Sequence, residues 1–272
     1  MAAEKSAGKK GGKGFRIPRQ GAGTAIILGG PNAGKSQLLA SLTRATPEVA
    51  VYPFTTQIAQ PGMMPWEDVY VQMIDTPPIT TDYLESYTQG LIRAADLALL
   101  MVDLGSDDGI ERLQEVVDRL GQTKTRLARS SYLDEQDIGL SYTRTFLLAN
   151  KMDSPDSAQR LALLRELLPL DLQEFQISAL EKTGLKELSE AIYRSLDVIR
   201  VYTKLPAAKE PDMGRPFTCR RGSTLLELAG LVHKDFLANL KFARVWGEAV
   251  HPGTPLKGDY VLHDKDIVEL HA

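Results

Sequence analysis

The sequence predicts an α/β protein with a mainly parallel sheet, followed by a small α+β module. Three observations predict it. Short continuous apolar segments alternate with amphipathic stretches, a glycine-rich octapeptide directly follows the first apolar segment, and the texture of the chain changes after about residue 201.

Composition sets the bounds. The chain has 272 residues, 43% hydrophobic and 25% charged, enough to bury one sizeable core and a smaller one. A net charge of -3 gives no global attraction to nucleic acid, so any such contact has to come from local patches. Residues 1–22 are read as a flexible basic arm, with Lys5, Lys9, Lys10, Lys13, Arg16 and Arg19 among glycines against one acid, Glu4. Cys219 is the only cysteine, which excludes an intrachain disulfide and points to a reducing compartment. The apolar runs are far shorter than the ~20 residues that cross a bilayer. A cytoplasmic protein with no membrane partner is expected.

Residues 23–201 are read as one domain. Its strand candidates are residues 24–28, 69–74, 97–103, 145–149 and 175–177, short segments rich in Ile, Leu and Val as in a sheet covered on both faces. Ser154 is expected to cap a helix with Pro155 at its first position, burying Leu161, Leu164 and Leu168. After Gly184, Leu185, Leu188, Ile192, Leu196 and Ile199 recur at helical spacing. Residues 121–144 are polar and mixed in charge and read as a solvated extension, with RNA or partner contact as the alternative. Pro206 and Pro211 mark residues 202–213 as a linker, and residues 214–272 as the second module, with strands at 215–219, 241–245 and 267–270 and a helix begun by Ser223 or Thr224.

The chemistry concentrates in two places. Gly29-Gly30-Pro31-Asn32-Ala33-Gly34-Lys35-Ser36 fits the phosphate-loop pattern and lies between an apolar strand and a potential helix. Backbone N–H groups from Asn32, Ala33, Gly34, Lys35, Ser36 and Gln37 suit a β-phosphate, helped by the helix N-terminus. Lys35 would bridge the β- and γ-phosphates and Ser36 would ligate Mg²⁺. Farther on, Asn150-Lys151-Met152-Asp153 and Ser178-Ala179-Leu180 each close an apolar strand. The Asp153 carboxylate can accept from guanine N1–H and the exocyclic amine, a donor pair adenine lacks. Lys151 would lie along the purine, and the Ala179 amide would donate to its carbonyl. GTP and GDP are therefore the expected ligands. Between these segments, Thr56 is preferred over Thr55 to close over Mg²⁺ and the γ-phosphate, and Asp75 would hold a Mg²⁺-bound water.

With Tyr52-Pro53-Phe54-Thr55-Thr56 and Asp75-Thr76-Pro77-Pro78 in order between those motifs, the chain resembles the Obg-like translation-associated GTPases, most closely their DRG branch. Arg220 through Thr224, His233-Lys234-Asp235 and Lys241 through Gly247 resemble a TGS domain of β-grasp type. The resemblance implies a TRAFAC-type P-loop G domain and a cytoplasmic GTPase. It also implies attachment to ribosomes or structured RNA through the TGS domain and basic arm. The inserted domains of full DRG proteins are not evident.

Two departures from that pattern stand out. Pro78 replaces the glycine whose N–H reports the γ-phosphate, and proline has no N–H to give, although Ile79 or a rearranged turn could supply another donor. Ile79 itself stands where some small GTPases keep a water-orienting glutamine. Hydrolysis is then expected to be slow without a partner and to rest on Lys35, Asn32, Thr56 and Mg²⁺, with K⁺ held beside Asn32 as in related cation-activated GTPases. The alternative is a nucleotide-holding adaptor with little or no turnover.

Overall fold

The computed structural model describes residues 17–43, 59–206 and 208–272. The basic residues Lys5 to Arg16 and the segment from Tyr52 to Thr56 lie outside these.

Strand β1 (Thr24–Gly29) is buried along its whole length and carries the phosphate loop into α1 (Lys35–Leu42). It runs parallel to β3 (Val69–Asp75) on one side and to β4 (Leu97–Asp103) on the other. Strand β4 continues the parallel set to β7 (Ser141–Asn150), and β7 to β8 (Gln173–Gln176). Only β2 (Gln60–Trp66) opposes them at this end, as an antiparallel edge hairpin with β3. Helices α2 (Ser86–Ala94), α3 (Gly109–Gly121) and α4 (Ser157–Leu167) pack on one face, where Ile26, Leu28, Leu100 and Val102 meet Ile92, Leu113, Val116 and Leu164. The opposite face joins Ile27, Met73, Leu99 and Leu148 to α1 and to α5 (Leu185–Ser195). Adjacent β1 residues thus serve opposite cores, as the two-residue period of a strand requires.

Strand β7 is longer than expected. Its second half, from Phe146 to Ala149, pairs with β8, while Ser141 to Arg144 pairs with β5 (Thr125–Ala128) and Tyr142 opposes Tyr132 of β6 (Tyr132–Leu133). The two ends of the segment 121–144 therefore belong to the sheet, with Thr125, Leu140, Ser141 and Thr143 buried, while residues 129–133 and 135–139 between them are exposed, as the solvated reading expects. Helix α4 also starts later than expected. Ser154 and Pro155 lie in a turn in which the Ser154 N–H donates to Lys151, and the helix opens only after Asp156 in a left-handed conformation at φ 62°.

The second module begins before the expected linker. Asp197, left-handed at φ 53°, ends the run of α5, and Ile199 belongs to β9 (Val198–Thr203), not to the helix. Strand β9 pairs with β10 (Asp212–Arg220) and β13 (Asp266–His271), so residues 198–203 are already a central strand of the second sheet. Strands β11 (Phe242–Gly247) and β12 (Val250–Leu256) complete the order β10-β9-β13-β11-β12. Helix α6 (Leu225–Val232) covers one face through Leu225, Leu228 and Ala229 and leads into α7 (Lys234–Asn239). Thr224 caps α6 in a reciprocal box with Glu227. Cys219 is buried in this core, and burial, with Glu227 adding, pushes its thiol up to about 11.

The basic arm does not extend to residue 22 as a free segment. Ile17 and Ala22 are buried, the Ala22 N–H donates to Tyr70, and Arg19 donates to the carbonyl of Ala94 at 2.6 Å and to Asp96 at 3.0 Å.

The two modules meet at Arg200, whose side chain is 6% exposed. Its guanidinium pairs with Asp264 of its own module at 2.8 Å and, across the interface, with Glu67 and with Asp68 at 3.0 Å in the β2–β3 turn. Tyr202 donates to Asp68 as well. The guanidinium lies 5.8 Å from the ring of Tyr193, which stacks on Trp66. Burial tends to raise the Asp68 carboxyl, but the hydrogen bonds from Tyr202 and Arg200 outweigh it and hold it below 3.8, and Arg200 does the same for Asp264. A carboxylate depressed by folding contributes stability that is present above its unfolded value and lost as pH falls through its folded value. The stability difference between wild type and Arg200→Met should therefore be full at pH 6 and shrink below about pH 3.8. Urea midpoints across that range will show it.

Candidate nucleotide site

Strand order reverses at β1: the chain passes to β3 on one side, then crosses to β4 on the other. Open α/β sheets bind ligands beyond the carboxyl ends of strands at such a point. The loops after β1, β3, β4, β7 and β8 all emerge there.

The phosphate loop is shaped by Asn32 at φ 58° and Gly34 at φ 95°, which turn successive backbone groups into α1. Lys35 is buried and crosses beneath the loop, its ammonium donating to the carbonyls of Gly29 at 3.2 Å and Gly30 at 2.9 Å. Burial lowers its pKa, and the nearby Asp75 opposes that shift. The Ser36 hydroxyl donates to Asp75 Oδ2 at 2.5 Å. Asp75 Oδ1 is buried and has no hydrogen-bond partner among the described residues, and burial raises this carboxyl above its usual range despite Ser36 and Lys35. An orphaned buried oxygen beside a hydroxyl suits a hard, oxygen-seeking divalent cation, so Mg²⁺ fits these residues.

One side chain organises the rest. Asn150 Nδ2 donates to the Ala33 carbonyl at 2.8 Å, and its Oδ1 accepts from the Ala179 N–H at 3.0 Å. Ser41 of α1 ties the same loop through the Ala179 carbonyl at 2.8 Å. The residues after β7 and β8 are thereby fixed to the phosphate loop. Lys151, left-handed at φ 63°, reaches back to Asp103 at the end of β4 at 2.7 Å. Asp103 is buried and also accepts from the Gly105 N–H at 2.8 Å. Asp153 stands exposed at the mouth, and among the described residues no hydrogen bond engages its carboxylate. Ser178 is buried and its hydroxyl accepts from the Glu181 N–H, while Leu180 points outward, 64% exposed. Ser36 and Gln37 are exposed at the start of α1.

The loops that carry Asn32 to Gln37, Asp75, Asn150, Lys151, Asp153 and Ser178 to Leu180 thus emerge at the same end of the sheet. Thr56 lies outside the described residues. Sequence reading missed Asp103, although an aspartate closing an apolar strand beside the base-reading strand was a usable signal. It also missed the clamping role of Asn150, which no spacing announces. The segment after Asp75 is held in place: Thr76 donates to the Ile27 carbonyl at 2.7 Å, and the Ile79 N–H donates to the Gly29 carbonyl at 3.2 Å. Ile79 is 1% exposed and packs in the core, so both its side chain and its amide are engaged away from the cleft.

Residues 24–131 match the 50S ribosome-binding GTPase family and residues 199–272 match the TGS domain. The chain thus carries a segment similar to that GTPase family and, after it, a segment similar to the TGS domain. Its curated relatives include an uncharacterized GTP-binding protein of Methanocaldococcus jannaschii, 29% identical across 95% of this chain and 80% of the relative. Another is the developmentally-regulated GTP-binding protein 2 homolog of Dictyostelium discoideum, 27% identical across 98% of this chain and 87% of the relative. The first alignment runs over 314 positions, more than the 272 residues here, so that relative has segments without a counterpart in this chain. Among solved structures, the Schizosaccharomyces pombe YchF GTPase shares the fold over 95% of this chain with a TM-score of 0.61 at 16% identity.

The TGS match starts at residue 199, in agreement with β9 as its first strand.

A Cβ on Gly34 would lie 2.3 Å from Asn150 Nδ2 at a φ that side chains rarely adopt. Gly34→Ala should cost about 1–3 kcal/mol in urea unfolding and remove nucleotide binding by breaking the Asn150 clamp. Asp75→Asn should do the opposite to the unliganded protein. It removes a buried carboxylate charge, so the unfolding free energy without metal should rise by about 1–3 kcal/mol, while the Mg²⁺-dependent gain in midpoint disappears.

Proposed function

We propose that this protein binds GTP and GDP with Mg²⁺ in the cleft above β1, β4 and β7, and hydrolyses GTP slowly on its own. The observation that carries the reading is the Asn150 clamp, in which one side chain ties the loop after β8 to the phosphate loop. In this reading the amides of Asn32, Ala33, Gly34, Lys35, Ser36 and Gln37 surround the β-phosphate, and Lys35 neutralises charge between the β- and γ-phosphates. Ser36 and Asp75 would hold Mg²⁺, joined by Thr56, and the metal would screen the phosphate oxygens. Asp153 accepts from the guanine edge. Lys151, fixed by Asp103, lies along the purine, and the Ala179 amide donates to the guanine carbonyl with Ser178 and Leu180 shaping that wall.

Catalysis rests on position and charge rather than on a base, through Lys35, Asn32 and Thr56. Neither Pro78 nor the core-bound Ile79 offers a group to orient the attacking water, which supports a low intrinsic rate. Asn32 would hold K⁺, which would supply further positive charge, so turnover is expected to be faster in KCl than in NaCl. The same two residues favour a second reading, an adaptor that holds guanine nucleotide with little or no turnover. Similarity to the 50S ribosome-binding GTPase model and to the TGS domain supports attachment to ribosomes or structured RNA in the cytoplasm, with the basic arm contributing.

Calorimetry with Mg²⁺ tests the first claim: GTP and GDP should bind and ATP should not. Asp153→Asn exchanges one charged acceptor for a neutral amide, and should weaken GDP roughly 10- to 100-fold, the loss of about 1.5–3 kcal/mol for a hydrogen bond to a charged group. Equal affinity for adenine nucleotides would overturn the assignment. Phosphate release measured with and without ribosomes separates the slow GTPase from the adaptor.

A further inference from the structure

The Arg200 clasp sits at the far ends of two elements whose near ends build the nucleotide cleft. One is the β2–β3 hairpin. Its turn, with Glu67 left-handed at φ 48°, is gripped by Arg200 and Tyr202, and β3 then runs from the turn to Asp75. Seven consecutive residue pairs, from Trp66 with Val69 to Gln60 with Asp75, make the hairpin a stiff lever. The other element is α5, which carries Tyr193 under the Arg200 guanidinium at one end. At its other end α5 follows directly on the loop of Ser178, Ala179 and Leu180, where the Ser178 N–H donates to Thr183 and Gly184 caps the helix. Stacking of Trp66 on Tyr193 at 6.0 Å joins the two levers beneath the clasp.

This arrangement exceeds what docking a domain requires. A single guanidinium answers two carboxylates from the G domain and one from the TGS domain, and is almost wholly buried. Removing one partner from such a cluster leaves buried charge uncompensated, so the cluster has few alternatives of similar energy. By contrast, the segment after Asp75 is pinned to β1 through Thr76 and Ile79. The hairpin and α5 both run from the clasp to the phosphate end of the site; a longer contact, Arg220 to Asp96 at 3.9 Å, meets the start of β1 instead.

We propose that Arg200 is a positioning residue for the nucleotide site: through the β2–β3 turn it sets Asp75, through Tyr193 it sets the base-reading loop, and it couples TGS seating to the bound nucleotide. The inference rests on the nucleotide reading above. Coupling between two sites is reciprocal, so a nucleotide that changes TGS seating must itself be bound differently when the seating is released.

The test is the ratio of affinities for GDP and a non-hydrolysable GTP analogue, measured with Mg²⁺ by calorimetry. Glu67→Gln with Asp68→Asn withdraws both G-domain carboxylates and leaves every cleft residue in place. The ratio should shift by about 5-fold or more, within the usual range of such couplings, and Arg200→Lys should shift it too because an ammonium cannot hold the same three carboxylates. A merely structural contact would lower the unfolding midpoint and leave the ratio within 2-fold of wild type, which overturns the proposal. Hydrogen exchange on the wild-type chain gives a readout free of mutation: amides at residues 66–69 and 198–203 should differ in protection between the two nucleotide states, and identical protection also overturns it. Failure of wild type to bind either nucleotide would instead overturn the nucleotide reading itself, and the coupling with it.

Discussion

The buried amide of Asn150 is the constraint on which the site depends. One side-chain amide has two donors and one carbonyl, and here it spends them on a carbonyl of the phosphate loop and an N–H of the base-reading loop. Both bonds are buried, where a lost partner costs the desolvation of the group left behind. The consequence is steric as well as electrostatic. Only glycine fits at position 34, because the Asn150 amide fills the space a Cβ would take. A loop that wraps phosphate must therefore keep its left-handed turn, and the loop that meets the base cannot drift away from it.

Much of this was legible in the sequence, and the reasons differ by element. Continuous apolar runs revealed β1, β3 and β4 because strands buried on both faces have no polar side to obscure them. The phosphate loop and the residues after β7 were legible because their chemistry needs particular side chains at fixed intervals. Strand β9 escaped because Val198, Ile199, Val201 and Tyr202 follow a helical spacing closely enough that Ile199 extended the α5 pattern, and only the left-handed Asp197 separates them. Strands β5 and β6 escaped for another reason. Only Thr125 of β5 is buried and both residues of β6 are exposed, so neither shows the apolar run of a buried strand, and pairing with β7 holds them. Arg200 was invisible, because what makes it matter is carboxylates from two distant parts of the chain, Glu67 with Asp68 and Asp264.

Asp75 and Asp68 lie at opposite ends of one hairpin strand and carry opposite electrostatic histories. Asp75 is buried with one oxygen unanswered, and its carboxyl is raised. Asp68 is answered by Tyr202 and Arg200, and its carboxyl is lowered. The first is poised to gain a cation; the second already has one. A strand with an unsatisfied charge at one end and a satisfied one at the other is rigid where the domains meet and receptive where the metal would bind.

The borders of the two sheets carry one more consequence. Strand β2, at the rim of the first sheet, contains Pro61 and Pro65; β12, at the rim of the second, contains Pro252 and Pro255; β10, at its other rim, contains Pro216 near the register shift between Asp212 and Phe217. A proline offers no N–H to an approaching strand, and for that reason it is tolerated at rims and excluded from sheet interiors. These three borders are poor templates for another copy of the chain, which guards a crowded solution of the protein against stacking rim to rim into fibres.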